Sequence, residues 1–193
     1  MSGRALDNPL VVPILGLLLE GPKHPYEVWR ELAGPGRDPT VAVNRASVYD
    51  LVKALAAENW IAVHGTARAG NRPTRTVYAL TPAGHDELVR RLDEQLRTPR
   101  REFPQFLTAV GYVGALGPEA AVAALTERAA ALRARIAEDE ARLAAARRRV
   151  PELFVIEADY ALHMVRSELV WVDDLIRRIR TGGLAWPESG DRP

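Results

Sequence analysis

Apolar residues recur along this chain with three different rhythms, and each rhythm predicts a different element. From Leu10 to Leu19 they are nearly continuous. Leu10, Ile14, Leu15, Leu17 and Leu18 leave little polar face, so a helix from Pro9 or Pro13 to Glu20 belongs at the centre of a core. Asn8 is placed to cap it, Pro9 suits a first helical position, and Gly21-Pro22 ends it. A second helix is predicted from Pro25 to about Ala33, with His24 before it and Gly34-Pro35-Gly36 as its stop. A third starts after Asn44, a good cap, and reaches Glu58. At about 100° per residue, Val48, Leu51, Val52 and Leu55 form one stripe, and Ala46, Tyr49, Asp50, Lys53 and Ala57 lie opposite.

The rhythm then changes to two. "WIAVHGT" reads as a strand, and "TVYAL" alternates Thr76, Tyr78 and Leu80 against Val77 and Ala79. The turn-rich "ARAGNRPTR" between them makes a hairpin with a long loop. Thr81 caps a further helix, with Pro82 in its first position, Asp86 and Glu87 early in it, and an end near Arg97. Three helices, two strands and a helix over residues 9 to 97 is the order of a winged helix-turn-helix.

A break at "RTPRREFP" opens a second region. Phe106 to Leu116 reads as a short helix, and Gly117-Pro118-Glu119 begins a long one. Val122, Leu125, Ala129, Leu132, Ile136, Asp139, Leu143, Ala146 and Val150 follow at alternating threes and fours, a heptad seam with Asp139 as its polar interruption. Pro151 breaks it, and a last helix runs from Glu152 to about Ile179. Its Leu153, Ile156, Tyr160, Met164, Trp171, Leu175, Ile176 and Ile179 need more cover than one antiparallel neighbour gives, which predicts a second chain. Gly182-Gly183 ends it. The fold class is therefore mainly α: an N-terminal winged helix-turn-helix (α-α-α-β-β-α) over 1–98, a helical dimerisation and effector domain over 99–181, and a flexible tail over 182–193. No internal repeat is present.

Composition narrows the function. The 193 residues are 47% hydrophobic and 26% charged, as in ordinary globular chains. The net charge of +1 means that any anion-binding surface must come from local clustering. The absence of cysteine excludes disulfides, thiolate metal sites and a cysteine nucleophile, and fits a reducing compartment. The apolar run at the start is too short to span a bilayer and no small-x-small cleavage pattern follows it, so a cytoplasmic protein with no membrane partner is expected. His24, His64, His85 and His163 are scattered without metal-ligand spacing. No GxSxG, glycine-rich phosphate loop or HExxH occurs, so neither an enzyme nor a cofactor or metal is expected.

Charge does cluster locally. Between His64 and Leu80 stand Arg68, Arg72 and Arg75 and no acidic residue. A solvated basic loop accounts for that equally well, until the hairpin is placed beside a helix-turn-helix. There, guanidinium groups on a projecting tip reach phosphates or a minor groove. The third helix is the candidate recognition helix, with Arg45 and Ser47 near its N-terminus and Tyr49 and Lys53 on its outward face. The ordinary reading of such a face is solvation. Asp50 weighs against nucleic acid, although a carboxylate can accept from a cytosine amino group. Phe154, Tyr160, Met164 and Trp171 could line a small-molecule pocket, but aromatic and Met residues at helical spacing are more often core or dimer seam.

"ILGLLLEGPKHPYEVWREL", "SVYDLVKALAAENWI" and "NRPTRTVYALTPAG" resemble, in order and spacing, the opening, recognition helix and second wing strand of the PadR family of bacterial transcriptional regulators. The resemblance spans roughly residues 10 to 95, and the later helices resemble members with a larger C-terminal domain. Two positions depart from it: Pro25 follows the histidine where glycine is common, and Asn59 stands at the helix exit where glycine is usual. The resemblance implies a homodimer whose C-terminal helices cross between subunits. It implies binding to a pseudo-palindromic double-stranded operator, usually as a repressor relieved by a small, often aromatic, effector. Carried over by position, DNA contacts fall to Arg45, Ser47, Tyr49 and Lys53, to Tyr26, and to Arg72 and Arg75 of the wing. The rival readings are a winged helix used only for protein interaction and an effector-binding protein whose DNA contact is vestigial.

Overall fold

A computed structural model describes residues 6–34, 43–67, 75–99 and 104–186. The chain divides into two compact units, Met1–Arg101 and Glu102–Pro193.

In the first unit, α1 (Val11–Leu19), α2 (Pro25–Leu32) and α3 (Arg45–Ala57) are followed by β1 (Ile61–Ala67), β2 (Arg75–Leu80) and α4 (Pro82–Arg97). The Asn8 side chain accepts from Leu10 N at 2.9 Å in the turn ahead of α1, but the helix starts at Val11 with Leu10 at its N-cap and no side-chain cap, so Asn8 is not its cap and Pro9 is not its first residue. Val11, Ile14 and Leu15 of α1 are fully buried and form the core with Val28, Val48, Leu55, Ile61 and Leu88. The predicted stripe of α3, Val48, Leu51, Val52 and Leu55, is the face that packs inward. Area removed from water is the dominant favourable term here, at about 25 cal/mol per Å² of apolar surface.

The sheet holds a partner that the sequence reading did not include. Lys23, in the turn after α1, exchanges both backbone hydrogen bonds with Tyr78 at 3.0 Å, adding a one-residue bridge to the β1–β2 ladder. Its ammonium meets Glu31 at 3.2 Å and Glu20 at 3.4 Å. Burial pulls the Lys23 pKa down, but the hydrogen bonds and charges of Glu31 and Glu20 outweigh it and raise it. The β1–β2 register shifts between Val63 and Gly65, so His64 is the extra residue of a bulge.

α3 leaves through Asn59, whose φ of 57° is left-handed. Asparagine tolerates that conformation better than most residues, and here it stands where a glycine was expected. The exit is then sewn to α4. The Thr81 hydroxyl lies 2.6 Å from Asn59 O and 3.0 Å from Trp60 O, and it accepts from Gly84 N at 3.0 Å. Further along α4, Glu87 accepts from Arg90 and Arg91, each at 2.7 Å. Arg91 also donates to Leu6 O at 2.9 Å, with its guanidinium over the Trp60 ring.

In the second unit, the expected short helix over Phe106 to Leu116 is two pieces, α5 (Gln105–Gly111) and a 3₁₀ turn at Val113–Ala115. α6 (Pro118–Arg147) and α7 (Ile156–Arg180) form an antiparallel hairpin through a 3₁₀ turn at Glu152–Phe154. Arg133–Asp173, Arg166–Glu140 and Arg147–Asp159 join the two helices at 2.6 to 2.8 Å. The seam of α6 buries Leu125, Ala129, Leu132 and Leu143, with Val122, Ile136 and Ala146 partly covered. Val150 lies beyond the helix end and is exposed, because the chain turns at Arg148 before the seam can continue. Asp139, the polar interruption, is paired with Arg135 and Arg142.

α7 buries Leu162, Val165, Val172, Leu175, Ile176 and Ile179 against this neighbour. The described part of the tail is packed: Leu184 and Trp186 rest on the same core, and Trp186 Nε1 donates to Leu116 O at 2.6 Å.

Candidate nucleic-acid interface

The interface builds from the two helices of the helix-turn-helix. His24 caps α2: its Nδ1 accepts from Tyr26 N at 3.0 Å, while its own N–H donates to Glu27 Oε2 at 2.8 Å. That reciprocal pair, with Pro25 in the first helical position, accounts for α2 starting here although Pro25 replaces a glycine. An Nδ1 that accepts is unprotonated, so the ring carries its proton at Nε2.

The same start of α2 projects Tyr26, and α3 begins across from it. Asn44 caps α3 by accepting from Ala46 N at 2.9 Å. Arg45, the first residue of α3, places its guanidinium 5.3 Å from the Tyr26 ring centroid and 5.5 Å from that of Tyr49. Both lie within cation–π reach. The His24 ring meets Tyr49 edge-on at 6.3 Å. Tyr26 packs on Trp29 at 5.5 Å, and Trp29 Nε1 donates to Val43 O at 3.0 Å, just ahead of the α3 cap.

Three of the expected contact residues, Tyr26, Arg45 and Tyr49, therefore converge on one spot at the N-terminal end of α3. Such an end offers backbone N–H groups and a positive dipole to an anion. Ser47 lies in the same first turn, half-buried. Lys53 is two turns away and exposed, 3.7 Å from Asp50. Both members of that pair are more than three-quarters exposed, so it is worth little as a stabilising contact. It does reduce the local positive charge of the outward face.

Arg75 opens β2, its backbone opposite Ala67. Arg68 and Arg72 lie outside the described residues. His24 and Trp29 were not among the expected contact residues. The signal for His24 was its place one residue ahead of a helical Pro-Tyr-Glu. Trp29 gave none, because its bond to Val43 spans a loop.

The aromatic set on the second unit is arranged differently. Phe154 and Tyr160 are 74% and 66% exposed, and Met164 and Trp171 are also exposed. With Leu153, Ile156 and Val170, also exposed, they leave large apolar side chains uncovered on α7 and on the 3₁₀ turn before it. Trp171 meets Phe106 edge-on at 6.0 Å, and Arg128, paired with Glu168, stacks 3.6 Å above Phe106. Among the described residues no three His, Asp or Glu side chains gather as a metal site requires, and no helix is long and apolar enough to cross a membrane.

Residues 14–90 match the family model described as the transcriptional regulator PadR-like family. A search of curated proteins gave no match. Among solved structures the chain is similar to Bacillus subtilis PadR in complex with operator DNA, with a TM-score of 0.74 and 19% identity over 89% of this chain and 99% of that one. It is similar to the same B. subtilis protein in complex with p-coumaric acid, with a TM-score of 0.69 and 17% identity over 90% and 98% of the two chains. A PadR-like regulator from Bacillus cereus matches with a TM-score of 0.61 and 13% identity, over 89% of this chain and 98% of its own. At these identities the likeness establishes the fold.

Proposed function

Through residues 14–90 the chain belongs to the PadR-like family of transcriptional regulators, a family of regulators and not of enzymes, and from that premise we propose that it is a homodimeric operator-binding repressor. The observation that carries the reading is the meeting of Tyr26, Arg45 and Tyr49 at the start of α3. A guanidinium held by two rings at a helix N-terminus suits a phosphate, because its planar fork is ordered before the ligand arrives. Lys53 and Tyr49 lie further along the same helix, where base edges are read. Arg68, Arg72 and Arg75 supply backbone contacts from the wing.

Self-association is supported by the apolar surface of α7. Monomeric proteins seldom leave so many large apolar side chains together in water, and a second copy would cover them. Two recognition helices would then enter successive major grooves, with half-sites about 34 Å apart. A small aromatic effector suits the rings of Phe154, Tyr160 and Trp171, and the B. subtilis protein crystallised with p-coumaric acid supports that chemistry. Such a ligand regulates only by binding one spacing of the two reading heads better than another.

A second reading, a winged helix used for protein contact, draws on the Asp50–Lys53 pair and the net charge of +1. Selection of bound fragments from random duplex DNA separates the two. A recovered palindromic consensus supports the regulator, and no enrichment at low ionic strength overturns it.

A further inference from the structure

We propose that His24 is a positioning residue of this interface, and that its ring, more than its capping nitrogen, sets Arg45 in place; the inference rests on the reading of α3 as the DNA-contacting helix. Two of the contacts that His24 makes among the described residues are separable. Its Nδ1 caps α2 at Tyr26 N, a task that asparagine or serine performs as well. Its ring stands T-shaped to Tyr49 on α3, with 6.3 Å between centroids, which no small capping residue can do. By both routes it acts on the rings that flank Arg45: the cap fixes the backbone from which Tyr26 projects, and the edge contact fixes Tyr49.

The Tyr26 side has an independent support in Trp29, which is bonded to Val43 O ahead of α3. Among the ring contacts that the described residues make with Tyr49, the His24 edge is the one from outside α3. Removing the ring therefore loosens Tyr49 first, and Arg45 with it. Glu27 accepts from the His24 backbone N–H.

The consequence is a split between stability and binding. His24→Asn keeps a capping acceptor and loses the ring. His24→Phe keeps a ring edge and loses the acceptor. Without DNA, the Nε–H resonance of Arg45, followed in ¹⁵N-labelled protein, reads the ring environment directly. It is expected to move toward a solvent-exposed position in His24→Asn and to stay near its wild-type place in His24→Phe. With a pool of random-sequence duplexes at low ionic strength, His24→Asn is expected to bind about fivefold more weakly, as suits the loss of one aromatic contact. His24→Phe is expected to bind within about twofold of wild type while melting at lower temperature.

An unmoved Arg45 resonance in His24→Asn overturns the proposal. So does a weakening by His24→Phe that equals that of His24→Asn, because the cap would then be the operative link. If wild-type protein does not bind the duplex pool, the DNA reading falls, while the Arg45 resonance still decides whether His24 positions that side chain.

Discussion

Gly84, in the first turn of α4, lies against the backbone of Trp60 at the exit of α3. A Cβ at position 84 would stand 1.9 Å from Trp60 O and 2.7 Å from its carbonyl carbon. Both obstructing atoms are backbone, so the neighbour cannot rotate aside. Gly84→Ala must push α4 away from the strand entry and break the Thr81 bonds to Asn59 and Trp60. We expect a loss of at least about 2 kcal/mol in urea unfolding. A change below about 0.5 kcal/mol would show that the approach is not as close as described.

Asn59 tests the neighbouring turn. Its left-handed φ costs a residue with a Cβ about 1–2 kcal/mol, less for asparagine, and costs glycine nothing. Asn59→Ala should lower stability by about 1 kcal/mol, and Asn59→Gly should leave it unchanged or slightly raised. The reverse order in thermal melts would contradict the assignment.

Glu87 predicts an acid response. The hydrogen bond from Arg90, followed by that from Arg91, holds its carboxyl down at about 2, below the ordinary 4.5, against a burial effect that opposes them. A depressed carboxyl contributes stability that is complete above its unfolded value and is lost as pH falls through its folded value. The contribution should fade between about 4.5 and 2. Because Arg90 is more than half exposed, screening limits the effect to about 1–2 kcal/mol. Glu87→Gln should therefore be less stable than wild type at neutral pH, and the two should converge in melts taken below pH 3. Parallel curves would sink this.

Charge contacts with DNA leave a signature in salt. Replacing Arg45, Arg72 or Arg75 with alanine should weaken binding to every sequence and reduce the slope of log affinity against log salt by about one unit each. At position 45 lysine should restore less than half of the loss, since it lacks the planar, forked guanidinium that Arg45 places within reach of the Tyr26 and Tyr49 rings. An unchanged slope in the Arg72 and Arg75 variants would remove the wing from the interface.

The dimer is checked on α7. Phe154→Asp with Tyr160→Asp places two charges on a surface expected to meet its copy, and both side chains touch little of their own chain. The double variant should fold, with helicity unchanged, and sediment as a monomer. Wild type should sediment as a dimer at the same concentration. A monomeric wild type would end the two-headed reading of the operator.

Much of the fold was legible in the chain because it is written in short-range chemistry. Thr81, Pro82 and the run to Arg97 state a helix within one turn of each end, and α4 spans those bounds. Asn44 and the stripe from Val48 to Leu55 do the same for α3. Of the apolar residues on the last helix expected to need a second chain, Ile156, Tyr160, Met164 and Trp171 are exposed, but Leu175, Ile176 and Ile179 are buried within this chain, because α6 and the residues packed beside it cover more of α7 than periodicity shows. The long seam was read one turn too far, because periodicity alone cannot see Arg148 ending the helix ahead of Val150.

By itself, then, the sequence determined the order of elements, the Asn44 and Thr81 caps and most of the faces they bury, since each depends on residues within a few positions of one another. The tertiary structure decided what distance along the chain hides. Lys23 reaches Tyr78 to extend the sheet, Gly84 admits the Trp60 carbonyl, His24 meets Tyr49, and Tyr26 meets Arg45. No local rhythm encodes those meetings, because side chains many residues apart become neighbours only after the apolar faces of α1, α2 and α3 have closed on one another.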